Sequence, residues 1–282
     1  MAAGTELAKA YVQIIPSADG VKGKIQEALG GEAESAGKSA GASVGSNLIG
    51  TLKKALVVAG IGAAIKESIE AGAELQQSIG GIETLFKDNA DTVKQYAADA
   101  YKTAGLSAND YMQSVTGFSA SLLQGLGGDT AKAAEVANMA LVDMSDNANK
   151  MGSDMGSIQN AYQGFAKQNY TMLDNLKLGY GGTKSEMERL LKDAEKFSGV
   201  KYDIDNLSDV YNAIHVIQGE LDITGTTAKE ASTTISGSMD SMKSSFQNVL
   251  ADLALGNDLS ASMQGLGDSI AAVAQNIIPV IT

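Results

Sequence analysis

The segment Gly179–Ser185 has the residue types of a phosphate-binding loop, since three glycines precede a lysine and a hydroxyl side chain. In nucleoside triphosphatases the lysine follows the last glycine directly, so that the lysine and the backbone amides surround the phosphates. Here Thr183 separates Gly182 from Lys184, and no buried strand is predicted ahead of the loop. The spacing therefore argues against nucleotide chemistry at this segment.

His215 is the only histidine of the chain, and the chain contains no cysteine. A catalytic histidine needs a nucleophile or a substrate group within reach, and no nucleophile motif is present. A zinc site needs several histidine or cysteine ligands. Because His215 lies between apolar residues on a predicted helix, we expect a structural histidine with a hydrogen-bond partner.

Asp203, Asp205 and Asp209 are the nearest approach to a calcium-binding loop. Such a loop needs a glycine at its sharp turn, and this segment has none. The alternative is the start of a helix that is capped by Asn206 or Ser208. We favour the helix start, and we predict no catalytic residue, no metal site, no cofactor and no enzymatic activity.

The spacing of apolar side chains predicts an all-α fold, with short helices packed into a helical domain and longer helices rich in Ala, Gly and Ser. Ala8–Ile15 is the exception, because its β-branched residues followed by Pro16 predict one short N-terminal β-strand. The only other proline is Pro279, so no proline interrupts the helical region. The predicted helices are 48–86, 91–104, 108–124, 130–149, 153–167, 185–198, 207–223 and 227–254, with a further helix from residue 260.

The most distinctive segment is Leu173–Leu191, in which a Gly-Tyr-Gly-Gly turn separates two helical patterns. Thr183 and Ser185 each begin a Ser/Thr-x-x-Glu capping box. We expect the glycines to reverse the chain tightly over buried leucines, with Tyr180 as an anchor. Two interpretations stay open, a structural corner and a docking surface for a partner, and both involve Leu173, Asp174, Asn175, Leu176, Lys177, Leu178, Gly179, Tyr180, Gly181, Gly182 and Thr183.

Two N-terminal features also have alternative interpretations. Gly37, Gly41 and Gly45 recur every four residues, which suits either close helix association or a flexible connector. The apolar run 55–65 is shorter than the roughly 20 residues of a membrane-spanning helix. It suits a buried bundle helix, or a segment that acts on membranes.

Composition limits the function further. The net charge is −12, which argues against a sequence-specific nucleic-acid surface because phosphate contacts need clustered Lys and Arg. Aromatic residues make up 5% of the chain and tryptophan is absent. Small side chains bury little area each, so long, thin helical packing is expected rather than one dense core.

Four segments together resemble the N-terminal region of phage tail tape-measure proteins, the phage-related minor tail protein family. The most specific are Leu-Lys-Leu-Gly-Tyr-Gly-Gly-Thr at 176–183 and Ala-Tyr-Val-Gln-Ile-Ile-Pro-Ser-Ala at 10–18. Ala-Leu-Val-Asp-Met-Ser-Asp-Asn at 140–147 is similar to an Asp-Met-Ser/Ala-Asp pattern of that family, and residues 236–248 are a looser match. The resemblance covers roughly residues 8–255.

The resemblance implies a structural protein of the virion tail, located in the tube lumen and assembled in the host bacterial cytoplasm. It would set tail length and assist tail assembly and genome ejection. The implied partners are the tail tube protein, tail assembly chaperones, baseplate or tail-tip proteins and further copies of the chain, with contact to the host membrane. The alternative is a prophage-encoded or secreted helical pore-forming, toxin-like protein, suggested by the run 55–65 and the spaced glycines.

The predicted organisation has four parts. Residues 1–20 form the strand and turn, and residues 21–72 form a Gly/Ala-rich helical segment. Residues 73–225 form a multi-helix domain that contains the glycine corner. Residues 226–282 form a long helix, and the rising hydrophobicity at their end leads us to expect an N-terminal piece of a longer protein or an unusually short variant.

Overall fold

The computed structural model describes residues 61–281, and the side chains of residues 70–277. The predicted strand at Ala8–Ile15, the glycines Gly37, Gly41 and Gly45, and the run 55–65 up to residue 60 lie outside the described residues. No helix among the described residues is long and apolar enough to cross a membrane.

Within residues 61–281 the chain is almost entirely helical and contains no strand, which confirms the helical class for this part. Most predicted helices are found with ends shifted by a few residues. In chain order the helices are α1 (Ile61–Phe86), α2 (Ala90–Thr103), α3 (Ala108–Gly125), α4 (Thr130–Met151), α5 (Met155–Phe165), α6 (Lys184–Ser198), α7 (Leu207–Glu220), α8 (Thr226–Thr233), α9 (Ile235–Leu255) and α10 (Ser260–Ile281), with short 3-10 turns at Lys87–Asn89 and Leu173–Leu176.

Local side chains fix where several helices begin. Ser107 accepts a hydrogen bond from the backbone N–H of Asp110 and caps α3. Asp129 and Asp154 cap α4 and α5 in the same way. These carboxylates satisfy amides that have no partner inside the helix, and their charge is favourable at a helix N-terminus.

The segment 226–282, described above as a long helix, forms α8, α9 and α10. The break before residue 260 agrees with the predicted helices at 227–254 and from residue 260, whereas the break inside 227–254 was not predicted. The first break lies at Thr234, which is extended (φ −121°, ψ 153°) and caps α9 by accepting from the N–H of Gly237. A Cβ on Gly237 would lie 2.5 Å from the carbonyl of Glu230. The tight corner between α8 and α9 therefore requires glycine at this position, a contact that apolar spacing does not encode.

One main core joins the described helices from α1 to α7 and extends to Ala251 of α9. Its largest fully buried side chains include Tyr111, Tyr162 and Tyr211. A smaller cluster between α9 and α10 contains Val249, Met263, Leu266 and Ile270. The expectation of thin packing throughout is therefore wrong for the main core, because the few aromatic residues are concentrated there.

The boundary predicted at residue 72 falls inside α1, which runs unbroken from Ile61 to Phe86. α9 packs along both α1 and α10, so the last helices return to the first. At Gly72 the backbone of α1 approaches Ala254 so closely that a side chain on residue 72 would collide with the Ala254 methyl group.

Gly72→Ala and Gly80→Ala form a matched pair in α1. We expect Gly72→Ala to reduce the free energy of unfolding by about 1–3 kcal/mol, because α1 and α9 must move apart. Gly80 has open space where a Cβ would be placed. Alanine there should be neutral or stabilise the chain by up to about 1 kcal/mol, because glycine is a poor helix former.

Urea unfolding followed by circular dichroism measures both variants. If Gly72→Ala were as stable as Gly80→Ala, the close approach of α1 and α9 would be wrong.

Candidate functional site

The glycine corner, residues 173–183, begins with the 3-10 turn Leu173–Leu176 and ends at the start of α6. Leu173, Leu176 and Leu178 are buried beneath it, as expected. Lys177 then adopts a left-handed conformation (φ 54°), and so does Gly179 (φ 84°). The chain reverses at these two residues, and the leucines hold the turn on the main core.

Gly181 and Gly182 differ in whether a side chain would fit at their position. A Cβ on Gly182 would collide with the carbonyl oxygen of Thr171, so this position needs glycine for close backbone approach. A Cβ on Gly181 would only make ordinary contact with the Glu186 side chain. The second glycine of the pair is therefore the steric requirement of the corner.

Thr183 is the residue that caps α6, and its hydroxyl accepts a hydrogen bond from the N–H of Glu186 (3.2 Å). Of the two predicted capping boxes, the structure uses the one that starts at Thr183. The Glu186 carboxylate accepts from the N–H of Gly181 (3.0 Å), two residues before the cap. The box is thus extended backward and ties α6 to the glycine turn.

Arg189 on α6 fixes the outer side of the corner. Its guanidinium donates to the Gly179 carbonyl (2.9 Å) and to Glu186 (2.6 Å), and it lies 4.3 Å from the centre of the Tyr180 ring. The Tyr180 hydroxyl donates to Asp193 (3.0 Å), which confirms Tyr180 as an anchor. The hydrogen bonds from Arg189 and Gly181 lower the pKa of Glu186 to about 2.

Four exposed residues form the outward face of the corner: Lys177, Gly179, Gly181 and Thr183. Asp174 is also exposed, whereas Asn175 is half-buried. Every feature that holds the corner together is thus explained by contacts within the chain. The docking interpretation stays a prediction, and it is limited to this outward face.

The acidic motif, residues 143–147 of α4, lies directly behind the corner. Asp143, Ser145, Asp146 and Asn147 are all buried although they are polar. Burying polar groups is costly unless they are hydrogen-bonded, so each needs a partner from another part of the chain. In the sequence analysis this motif had no structural role beyond the resemblance.

Ser145 and Asp146 of the acidic motif bind two different segments of the chain. Ser145 donates to the Ala104 carbonyl at the end of α2 (2.6 Å). Asp146 accepts from the N–H groups of Gly225 (2.6 Å) and Thr227 (2.8 Å). Because α8 has no capping side chain of its own at Gly225, Asp146 serves as its N-cap from α4.

Asn147 joins the motif to the corner by donating to the Leu176 carbonyl (2.9 Å). Lys177 reaches back to the carbonyl of Met151 at the end of α4 (3.0 Å). Among the described buried side chains, two oxygens have no hydrogen-bond partner, Asn147 Oδ1 and Gln218 Oε1. Two segments that carried the resemblance are therefore in direct contact.

Asp143 pairs with His215 of α7, whose Nδ1 lies 2.9 and 3.0 Å from the two carboxylate oxygens. His215 thus has the hydrogen-bond partner that was predicted. Burial raises the pKa of Asp143 to about 6, although the hydrogen bond to His215 opposes this effect. The hydrogen bond to Asp143 raises the pKa of His215, and partial burial opposes the increase.

The acidic segment 203–209, considered above as a calcium-binding loop, forms local hydrogen bonds at the start of α7. Asn206 accepts from the N–H of Ser208 and caps α7, which confirms the predicted helix start. The Asp209 carboxylate accepts from the backbone N–H of Asp203, and the Asp203 carboxylate accepts from the backbone N–H of Asp205. The part of the chain that the structure describes contains no group of acidic, histidine or cysteine residues arranged to hold a metal ion.

The sequence contains a signal for the buried Asp143 and Asn147 that the predictions above did not use. Val136, Ala140, Asp143 and Asn147 follow each other at helical spacing, so two polar residues fall on an apolar face. Such an interruption indicates buried hydrogen bonds to another element, but it does not identify the partner.

Comparison of the chain with known protein families, with curated proteins and with solved structures gives no match.

Gly182→Ala and Gly181→Ala test the corner. We expect Gly182→Ala to reduce the free energy of unfolding by about 2–3 kcal/mol, since the new methyl group displaces the Thr171 backbone. Gly181→Ala should change it by less than about 1 kcal/mol. Denaturant unfolding of the purified variants measures the difference, and equal effects would contradict the described approach of Gly182 to Thr171.

His215 gives a second test because a single histidine gives an unambiguous NMR titration. We expect its pKa to lie above 6.5 in the folded chain and to fall in Asp143→Asn, because the asparagine removes the largest cause of the increase. Asp110→Asn is the control, because Asp110 is exposed and is not among the groups that shift the pKa of His215. A His215 pKa that is unchanged in Asp143→Asn would rule out the pair.

The pair of Asp143 and His215 also determines how the free energy of unfolding changes with pH. Both groups hold a proton more tightly in the folded chain, so their contribution to stability is present at low pH and is lost as pH rises through about 6 and then through the His215 pKa. The difference in unfolding free energy between the wild type and Asp143→Asn should therefore fall as pH rises from about 4, the ordinary pKa of an aspartate, to just above the folded pKa of His215.

Proposed function

We propose that the chain is the N-terminal region of a tape-measure protein of a phage or prophage tail, and that its role is structural rather than catalytic. The observation that supports this function is the direct contact between two of the segments that resemble the family. The Asn147 side chain binds the Leu176 carbonyl, and Lys177 binds the end of α4. Segments that are distinctive in sequence thus form one folded unit.

The geometry of this unit suits a mechanical role. Arg189, Glu186 and Thr183 hold the corner from α6, while Asn147 holds it from α4. The polar side chains that chemistry would require are used for these contacts. A rigid corner with a small exposed face provides a fixed surface for assembly partners such as the tail tube protein, assembly chaperones or tail-tip proteins.

The proposed function includes setting tail length from the tube lumen. Where the gene continues beyond residue 282, an in-frame deletion of downstream sequence with a helical pattern should shorten tails by about 1.5 Å per residue removed, the rise of an α-helix. Electron microscopy of negatively stained particles measures the length distribution. A gene with synonymous codons over the same stretch is the control.

Tails of unchanged length after such a deletion would reject the ruler role. Tails that are absent in Gly182→Ala but normal in Gly181→Ala would show in addition that assembly needs the intact corner.

A further inference from the structure

A cleft of about 410 Å³ lies where α1, α2 and α3 meet α9 and α10. Its floor is apolar, with Leu75 and Ile79 from α1, Met112 from α3 and alanines of α2 and α3. Leu75 and Met112 belong to the main core, so this floor is held in place. The volume lies within the roughly 300–1,000 Å³ of clefts that enclose small ligands. The cleft therefore suits a small molecule with an apolar body.

Tyr101 of α2 gives the cleft a hydroxyl group that has no partner in the described part of the chain. Tyr101 is 8% exposed, lines the cleft and forms no hydrogen bond with another described residue. Its ring lies against Gly265 of α10, where a Cβ would come 3.0 Å from the hydroxyl oxygen. A phenylalanine ring would fill the same space, so packing does not require the hydroxyl. Burial raises the pKa of Tyr101, which keeps this hydroxyl protonated and able to donate.

Asn248 of α9 adds an oriented amide donor to the same cleft. Its Oδ1 accepts from the backbone N–H of Ala108 at the start of α3 (2.7 Å), which fixes the orientation of the carboxamide. Its Nδ2 forms no hydrogen bond within the residues that the structure describes. The Tyr101 hydroxyl and Asn248 Nδ2 are thus two donors without an acceptor. A ligand that satisfies both needs an acceptor oxygen, such as a carbonyl group.

The two lysines that line the cleft are neutralised by neighbouring carboxylates. Lys94 pairs with Asp91 (2.7 Å) and with Glu83 (3.3 Å). Lys102 pairs with Asp99 (2.6 Å). An anionic head group would have to compete with these carboxylates, so the cleft does not favour an anion.

Two further carboxylates of the cleft also have neighbours that balance them. Asp252 accepts from Nδ2 of Asn257 (3.1 Å). The pKa of Lys102 is raised by its hydrogen bond to Asp99 and, more weakly, by the charge of Asp268. A cationic head group would compete with these neighbours in turn. Because neither sign of charge is left in excess of its partners, a neutral ligand avoids the cost of removing an ion from water.

From these contacts we propose that the cleft binds a neutral acyl compound, an amide or an ester. Its carbonyl oxygen accepts hydrogen bonds from Tyr101 and Asn248, and its alkyl chain covers Leu75, Ile79 and Met112. The bound molecule contacts helices from both ends of the described chain and adds to the contacts between them. The proposal goes beyond the ruler role and does not depend on it.

Hexanamide is the probe, because it combines a short alkyl chain with a neutral carboxamide. We expect it to shift the methyl NMR signal of Met112 in the full chain labelled at its methionine methyl groups. The dissociation constant should be about 1–10 mM, as a ligand of about eight heavy atoms allows. Met155 is the internal control, because it lines a different groove beside α8 and α9. Met112→Leu and Met155→Leu assign the two signals.

Tyr101→Phe tests the hydroxyl group. We expect this variant to bind hexanamide about three- to tenfold more weakly, because one hydrogen bond to the ligand is lost. Tyr96→Phe is the matched control, because Tyr96 is on the same helix and does not line the cleft. Circular dichroism checks that both variants are folded. A Tyr101→Phe variant that binds as tightly as the wild type, or a Tyr96→Phe variant as weak as Tyr101→Phe, overturns the proposal.

Hexanoate and hexylammonium test whether the ligand is neutral. Each should bind at least about fivefold more weakly than hexanamide, because its charged head group must leave water. A charged analogue that binds as tightly as hexanamide contradicts the assignment of a neutral ligand. The proposal also fails if the Met112 signal stays unchanged up to about 20 mM hexanamide, or if Met112 and Met155 shift equally.

Discussion

The burial of four polar side chains within one turn and a half of α4 is the constraint on which the rest of the structure depends. A buried carboxylate or amide without a partner costs several kcal/mol, on the order of a large part of the stability of a domain. Asp143, Ser145, Asp146 and Asn147 each bind a different segment. Their partners come from α2, the glycine corner, α7 and the start of α8. The positions of these elements are therefore set by hydrogen bonds of fixed geometry, in addition to apolar packing.

The glycine corner depends on this arrangement and stabilises it in return. Asn147 holds the corner at Leu176, while Lys177 satisfies carbonyl groups at the C-terminal end of α4, where a positive charge is favourable. Gly182 then lets the chain approach Thr171 closely enough to begin α6 in the correct direction. Because the contacts are reciprocal, a change in either segment is expected to disturb the other.

Helices and caps could be predicted because they depend on residues close in sequence. Apolar spacing located α2 to α7, and Thr183, Ser107 and Asn206 cap helices as their types suggested. The break at Thr234 and the role of Asp146 could not be predicted in this way. Each depends on the backbone of a segment whose position only the folded chain defines, namely the end of α8 for Gly237 and its start for Asp146.

Composition alone predicted thin packing throughout, which is wrong for the main core because the small and the large side chains are unevenly distributed along the chain. Tyr111, Tyr162 and Tyr211 are fully buried in the main core. Where α9 meets α10, Ser245 donates to Ser269 (3.2 Å), which donates to the Gly265 carbonyl (2.8 Å). Small side chains, Ser241, Ser245 and Ser269, therefore form part of this contact, beside the smaller apolar cluster that contains Val249 and Leu266. The average composition of the chain therefore combines two different kinds of packing. We expect an added methyl group to separate the helices at the α9–α10 contact, whereas in the aromatic core it should rearrange the side chains.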